Sequence, residues 1–265
     1  MTSSTFVRSS DGTQIAVEAA GIGRPLVIVN GALTDRGAGR GLVPLLKDRI
    51  RVILWDRRGR GDSGDTPPYT VAREVEDLAA VIDWAGEPVD LYGHSSGGFL
   101  AIEGVLGGLA VRRLILHEPP FVVTDDRPRP GPDLPARLER LVAAGQRDEA
   151  VRLFYAEGTA LAPEIVDRIA AGAAWPSLLA LAHTLPYDTR LTGVCSLDRQ
   201  RLGAISIPAL VVLGGSSPPW MAASARAVVD GIADARLVTL EGQSHVATAE
   251  ALAPELLRFL DQPAT

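Results

Sequence analysis

The sequence predicts an α/β fold: a mostly parallel central sheet with helices on both faces and a helical segment inserted late in the order. Three observations predict it. Short apolar runs, among them Leu26–Val29, Arg51–Trp55, Val89–Tyr92 and Leu114–His117, alternate with stretches of helical period, and strands buried on both faces read as such near-continuous runs. The alternation stops at about residue 119 and resumes at Ala209, so a block of other character interrupts one sheet. At one strand-to-helix junction stands Gly93-His94-Ser95-Ser96-Gly97-Gly98. Its serine has glycine at i−2 and i+2, the G-x-S-x-G pattern of a nucleophile elbow.

In chain order, Thr5–Arg8 and Ile15–Ala19 flank Asp11-Gly12 and predict a hairpin. Leu26–Val29 ends in Asn30-Gly31-Ala32-Leu33, and a helix is expected near Arg40–Lys47. The strand Arg51–Trp55 runs into Asp56-Arg57-Arg58-Gly59-Arg60-Gly61-Asp62-Ser63. Val71, Val75, Leu78 and Ile82 share one face of a helix over Val71–Trp84. The strand 89–92, the elbow and an apolar helix from Phe99 follow, and the strand Leu114–His117 ends in Glu118-Pro119-Pro120. Asp125–Pro132 is Pro-rich and charged, a linker signal. Beyond it only helical patterns occur, over Leu134–Ala144, Arg147–Glu157, Pro163–Ala171 and Pro176–Thr184. Strand, helix, strand and helix then close the chain at Ala209–Gly214, Met221–Val229, Ala235–Leu240 and Ala251–Leu260. The expected division is a core of residues 1–120 and 205–265 with a helical cap of residues 121–204. An insertion there is expected to cover the C-terminal strand ends, where open α/β sheets bind ligands.

A chain of 265 residues buries roughly 70–75% of its unfolded surface and so needs no covalent staples. Net charge is −6 and the basic residues are scattered, which argues against a nucleic-acid surface. The single cysteine, Cys195, excludes an intramolecular disulfide, and Met1-Thr2-Ser3-Ser4 carries no apolar leader, so the expected location is the cytoplasm. No uninterrupted apolar run reaches the ~18–20 residues of a membrane span. His94, His117, His183 and His245 form no H-x-x-x-H pair or Cys/His cluster, so neither metal nor cofactor is expected. The expected partner is a small-molecule substrate, with no nucleic acid and no membrane; a homodimer is compatible with these features.

The elbow nominates Ser95 as a nucleophile. It also puts the Ser96 N–H at a helix N-terminus, where it can stabilise an oxyanion. Ser96 is not the nucleophile of the motif, because its own i−2 neighbour is His94 rather than a small residue.

Along nearly its whole length the chain resembles the α/β-hydrolase superfamily. The elbow matches. Asp56-Arg57-Arg58-Gly59-Arg60-Gly61-Asp62-Ser63 is similar to the family's D-x-R-G-x-G-x-S loop, and Glu241-Gly242-Gln243-Ser244-His245 to its late G-x-x-H segment. The resemblance implies that His245 is the catalytic base and that the triad runs Ser…Asp/Glu…His. It implies a second oxyanion donor at Ala32, with Leu33 as the alternative. Asn30-Gly31 stands where relatives carry His-Gly, so no acid or base is available there. Relatives commonly place an Asp shortly after the strand 209–214, but Gly214-Gly215-Ser216-Ser217-Pro218-Pro219-Trp220 holds no carboxylate. Glu118, at the end of the preceding strand, occupies a point where some members, certain haloalkane dehalogenases among them, place a Glu. Asp188 and Asp198 are the other candidates. Loss of a triad acid typically costs about 10⁴ in turnover, so its identity matters.

Substrate contacts are expected from Asn30, Leu33, His94, Phe121 and Trp220, around a mid-sized apolar ester or lactone. A serine at the elbow argues against the Asp-nucleophile chemistry of dehalogenases and epoxide hydrolases of this fold. The leading expectation is a serine hydrolase. A lyase, eliminase or acyltransferase using the same site, and a catalytically weak binding protein of the same fold, are the alternatives.

Overall fold

The computed structural model describes residues 5–262; Met1–Ser4, read above for a leader, lie outside them. Within the described residues β1 (Thr5–Arg8), β2 (Gln14–Ala20), β3 (Arg24–Val29), β4 (Ile50–Trp55), β5 (Val89–His94), β6 (Val111–His117), β7 (Ala209–Gly214) and β8 (Ala235–Leu240) form one sheet. Their spatial order is β1-β2-β4-β3-β5-β6-β7-β8. β2 is antiparallel to both its neighbours. Every pairing from β4 across to β8 is parallel. Parallel strands bring all their C-terminal ends to one edge, and that edge carries the site.

Alternate residues of each central strand face opposite sides, as the period of two requires. Val27, Val29, Ile53, Trp55, Leu114 and Leu116 enter one apolar core, and Leu26, Ile28, Val52, Leu54 and Ile115 enter the other. After α1 (Val43–Leu46), α2 (Val71–Ala85) and α3 (Ser96–Leu106) cover the first face, joined by the late helix over Pro219–Gly231. The helix over Ala249–Leu260 covers the second with α1. The expected helix over Arg40–Lys47 is instead a 3₁₀ segment, Arg36–Leu42, followed by α1. Three glycines in seven residues weaken an α-helix, and Pro44 is suited only to a first turn.

Between β6 and β7 lie α4 (Leu134–Ala143), α5 (Arg147–Leu153), α6 (Pro163–Ala170), α7 (Trp175–Ala180), α8 (Leu185–Thr192) and α9 (Arg199–Gly203), before α10 (Pro219–Gly231) and α11 (Ala249–Leu260). α5 passes into a wider π turn, Phe154–Gly158, where the sequence pattern continued the helix. The inserted helices have their own core of Leu134, Leu138, Val151, Phe154, Trp175 and Leu185, and Leu33 from the loop after β3 is part of it. That shared residue seats the insertion on the strand-end edge of the sheet.

Candidate active site

Ser95 lies between β5 and α3 with φ 54° and ψ −122°, a conformation that non-glycine residues enter only at a cost. The flanking glycines allow it. A Cβ on Gly93 would stand 2.6 Å from the Gly97 carbonyl oxygen, and one on Gly97 would stand 2.2 Å from that of Val29. The Ser95 N–H donates to the His117 carbonyl at 2.9 Å, which fixes the turn to β6. α3 begins at Ser96, so the Ser96 N–H sits at the positive end of an eleven-residue helix.

At the next strand end, that of β6, Glu118 also adopts positive φ (47°) and is fully buried. Its Oε1 accepts the Gly214 N–H at 2.7 Å, and its Oε2 accepts the Nδ1–H of His245 at 2.7 Å. The loop after β8 passes so close to Gly214 that a Cβ there would lie 2.6 Å from the Ser244 carbonyl oxygen. That close approach brings His245 to Glu118. The histidine side chain remains 41% exposed while its partner is completely dry. Burial pushes the Glu118 carboxyl up, but its hydrogen bonds, that from His245 foremost, outweigh it and leave the group below the usual carboxylate range. With Nδ1–H committed to Glu118, Nε2 is the nitrogen left to accept a proton.

A stack of rings backs this pair. His94 lies between His117 and His245, with centroids 4.8 Å from each. Its Nε2–H donates to the His245 carbonyl at 2.8 Å, so the side chain inside the elbow holds the main chain of the histidine loop. Burial, and then the neighbouring His245, push His94 down to about 4. Burial and the same two neighbours, His94 and His245, hold His117 well below its ordinary value. His117 Nδ1 is hydrogen-bonded to the Tyr92 hydroxyl at 2.7 Å.

The other side of Ser95 is built from charge. Arg57 Nε donates to Glu74 at 2.6 Å, and its NH1 to Asp188 Oδ1 at 2.9 Å. Arg60 NH2 donates to Asp188 Oδ2 at 2.7 Å, and the Ser96 hydroxyl donates to Asp188 Oδ1 at 2.8 Å. All of these residues are buried. Burial raises the Asp188 carboxyl, yet Arg60 and Arg57 lower it further, so it stays ionised. Sequence reasoning missed this cluster. Its only sequence signal was the excess of arginine in Asp56-Arg57-Arg58-Gly59-Arg60, and nothing in the sequence linked that loop to Asp188 on α8.

Of the candidate acids, Glu118 meets His245. Asp188 faces the arginines, and Asp198 caps α9 by accepting the Gln200 and Arg201 N–H groups. Asn30 Nδ2 donates to the Asp35 carbonyl at 2.9 Å, so its amide is spent on the loop. Phe121 packs on Phe99 at 4.4 Å in the main core. Leu33 is buried with φ 54° among the inserted helices, and Ala32 packs beside it. Trp220 lies under the Arg127 guanidinium, 4.0 Å from the ring centre. His183 Nε2–H donates to the Gly59 carbonyl at 2.8 Å. Among the described residues no group of three or more His, Cys, Asp or Glu side chains is placed to hold a metal, and no helix is long and apolar enough to cross a membrane.

A hydrolase-type sheet with a strained serine at one strand end and a Glu–His pair at its neighbours defines a class, and comparison with known proteins gives the family. Residues 26–256 match the alpha/beta hydrolase family, and the chain belongs to it. It is similar to an alpha/beta hydrolase from Sphaerobacter thermophilus DSM 20745, with 46% identity over 97% of this chain and 100% of that one and a TM-score of 0.93. It also resembles a pimeloyl-[acyl-carrier protein] methyl ester esterase of Aeromonas hydrophila, 26% identical over 87% of this chain and 92% of that one. A probable oxidoreductase, EphD, of Mycobacterium tuberculosis is 39% identical over 101 residues, a match spanning 36% of this chain and only 17% of that protein.

Proposed function

We propose that the protein is a serine hydrolase that cleaves a carboxylic ester or lactone of a mid-sized apolar small molecule. Ser95 Oγ attacks the carbonyl carbon while His245 Nε2 takes its proton. The tetrahedral oxyanion is held by the N–H groups of Ser96 and Ala32. Collapse expels the alcohol, which receives the proton from His245, and leaves an acyl group on Ser95. Water, deprotonated by His245, attacks that ester, and the carboxylic acid departs with Ser95 restored. Glu118 keeps the imidazole in the tautomer with Nδ1–H and stabilises the imidazolium. The inserted helices act as a cap, and their apolar cluster around Leu33 suits an apolar substrate. The work is placed in the cytoplasm, with no cofactor.

The observation that supports this most is the 2.7 Å contact between Glu118 Oε2 and His245 Nδ1. It supplies a carboxylate where the usual position after β7 has none. The test is labelling with a fluorophosphonate probe. Modification of wild type and none of Ser95→Ala is the expected pattern; folded wild type that takes no label removes the reading.

A further inference from the structure

Arg60 reaches one of the two peptide groups that the proposed mechanism uses as oxyanion donors, and Asp188 reaches the side chain of the residue that carries the other. The first is the Gly31–Ala32 peptide. Its carbonyl oxygen accepts from Arg60 NH1 at 2.6 Å and from the Thr34 hydroxyl at 2.7 Å. A trans peptide holds its C=O and N–H in opposite directions, so two donors on the oxygen fix the aim of the Ala32 N–H. Gly31 lies directly against the nucleophile, since a Cβ built on it would stand 3.0 Å from Ser95 Cβ and 3.6 Å from Ser95 Oγ. The Ala32 N–H itself has no hydrogen-bond acceptor among the described residues.

The second donor belongs to Ser96, whose hydroxyl donates to Asp188 Oδ1 at 2.8 Å and accepts from Arg57 NH1 at 3.3 Å. Arg57 NH1 also touches the Asn30 carbonyl at 3.3 Å, one peptide before the first donor. Asp188 bridges Arg57 and Arg60, so one carboxylate on α8 joins both halves. A well-packed apolar cluster would cost less to bury than two guanidiniums and two carboxylates. What the charges add is direction: fixed donors on the carbonyl face of one peptide, and polarisation of its N–H through the hydrogen-bonded chain.

The geometry points to Asp188, with Arg57 and Arg60, as positioning residues that align the oxyanion donors of Ser96 and Ala32, so that the oxyanion hole is complete only with the inserted helix α8 seated. This rests on the serine-hydrolase reading above. It assigns Asp188 no contact with substrate.

The test compares wild type, Ser96→Ala, Arg60→Lys and Asp188→Asn on a 4-nitrophenyl ester, with a boronic acid as an analogue of the tetrahedral adduct. Misaligned donors act on the transition state and spare the ground state. The kcat of Ser96→Ala and Asp188→Asn is therefore expected to fall by about 10- to 100-fold, with KM within about threefold of wild type. Boronate affinity should weaken in step with kcat. Arg60→Lys keeps the charge and one donor and should fall between these variants and wild type. Ser96→Ala removes one hydroxyl and retains its N–H, so it carries the test if Asp188→Asn does not fold. Variants that lose thermal stability but keep wild-type kcat and boronate affinity would overturn the proposal and leave the serine-hydrolase reading standing. Wild type that takes neither fluorophosphonate nor boronate would remove both.

Discussion

On the flank of Ser95 that carries His245, support comes from main-chain geometry, three uncharged or half-exposed rings and one buried carboxylate. On the flank that carries the loop after β3, it comes from a dry cluster of two arginines, two acids and the Ser96 hydroxyl. In the proposed mechanism the first group passes a proton during turnover. Its histidine keeps contact with water, and the rings beside it add no second positive charge. In the same proposal the second group stays fixed while charge develops in front of it. Buried ion pairs suit that role, because they lose much if either partner shifts. On the proposed reading, one side of the site passes a proton and the other stays fixed.

Glu118→Gln tests the titrating side and has the largest expected effect. Glutamine fills the same space and its carbonyl can still accept the Gly214 N–H. Its amide, however, donates towards Nδ1 and favours the tautomer whose Nε2 already holds the proton. Turnover of a simple ester should fall by about 10⁴, with the thermal midpoint within a few degrees of wild type. Steady-state kinetics and a melting curve on one preparation check both halves. An unchanged rate would mean that Glu118 is not the acid, and a collapsed melting temperature would erase the contrast between the flanks.

Asp188→Ala tests the fixed side, with stability as the readout. It leaves Arg57 with Glu74 alone among carboxylates and Arg60 with none among those bonded to it here. Removing one partner of a buried ion pair costs about 3–5 kcal/mol, or roughly 10 °C in the midpoint for a domain of this size. The half-exposed bidentate pair of Arg137 and Glu157 is the control. Arg137→Ala should cost no more than about 1 kcal/mol. Equal losses at the two sites would show that burial gives the cluster no special weight.

The same division explains what the sequence could disclose. Short apolar runs, the glycine-flanked serine and the break in strand–helix alternation each follow from local chemistry, so the sheet, the elbow and the helical insertion were legible. Glu118 was reachable because it ends a recognisable strand and the usual position lacked a carboxylate. The Asp188 cluster was not reachable. Its members lie 128 and 131 residues apart in pairs, and no local pattern announces that a polar residue on a short helix will be buried against a distant loop. His94 was read from the sequence as a substrate contact beside the nucleophile. Its hold on the His245 carbonyl depends on how closely the loop after β8 folds over Gly214. The helix expected near Arg40–Lys47 is α-helical only over Val43–Leu46, because the glycine-rich Arg36–Leu42 before it takes a 3₁₀ form.

Acid titration sharpens the comparison by separating the flanks along the pH axis. His94 is held down to about 4 from an ordinary 6.5, so between those values the unfolded chain binds a proton there and the folded chain does not. Stability then rises with pH. The His94 contribution is complete above about pH 6.5 and is lost as pH falls towards 4, by at most about 3 kcal/mol at 1.36 kcal/mol per pH unit. His117, shifted the same way, adds to the loss on the acid side. Glu118 and Asp188 are also lowered, but from the carboxylate range, so their contributions persist to lower pH and fade only as those groups protonate. Urea unfolding at pH 7.5, 6, 5 and 4 resolves the first window. His94→Gln keeps a donor for the His245 carbonyl and removes the titrating ring, so its stability should vary less between pH 6.5 and 4 than that of wild type. If the two proteins lose stability in parallel across that interval, the neutral stack is not what sets the acid limit of the His245 flank, and the buried carboxylates set it for both.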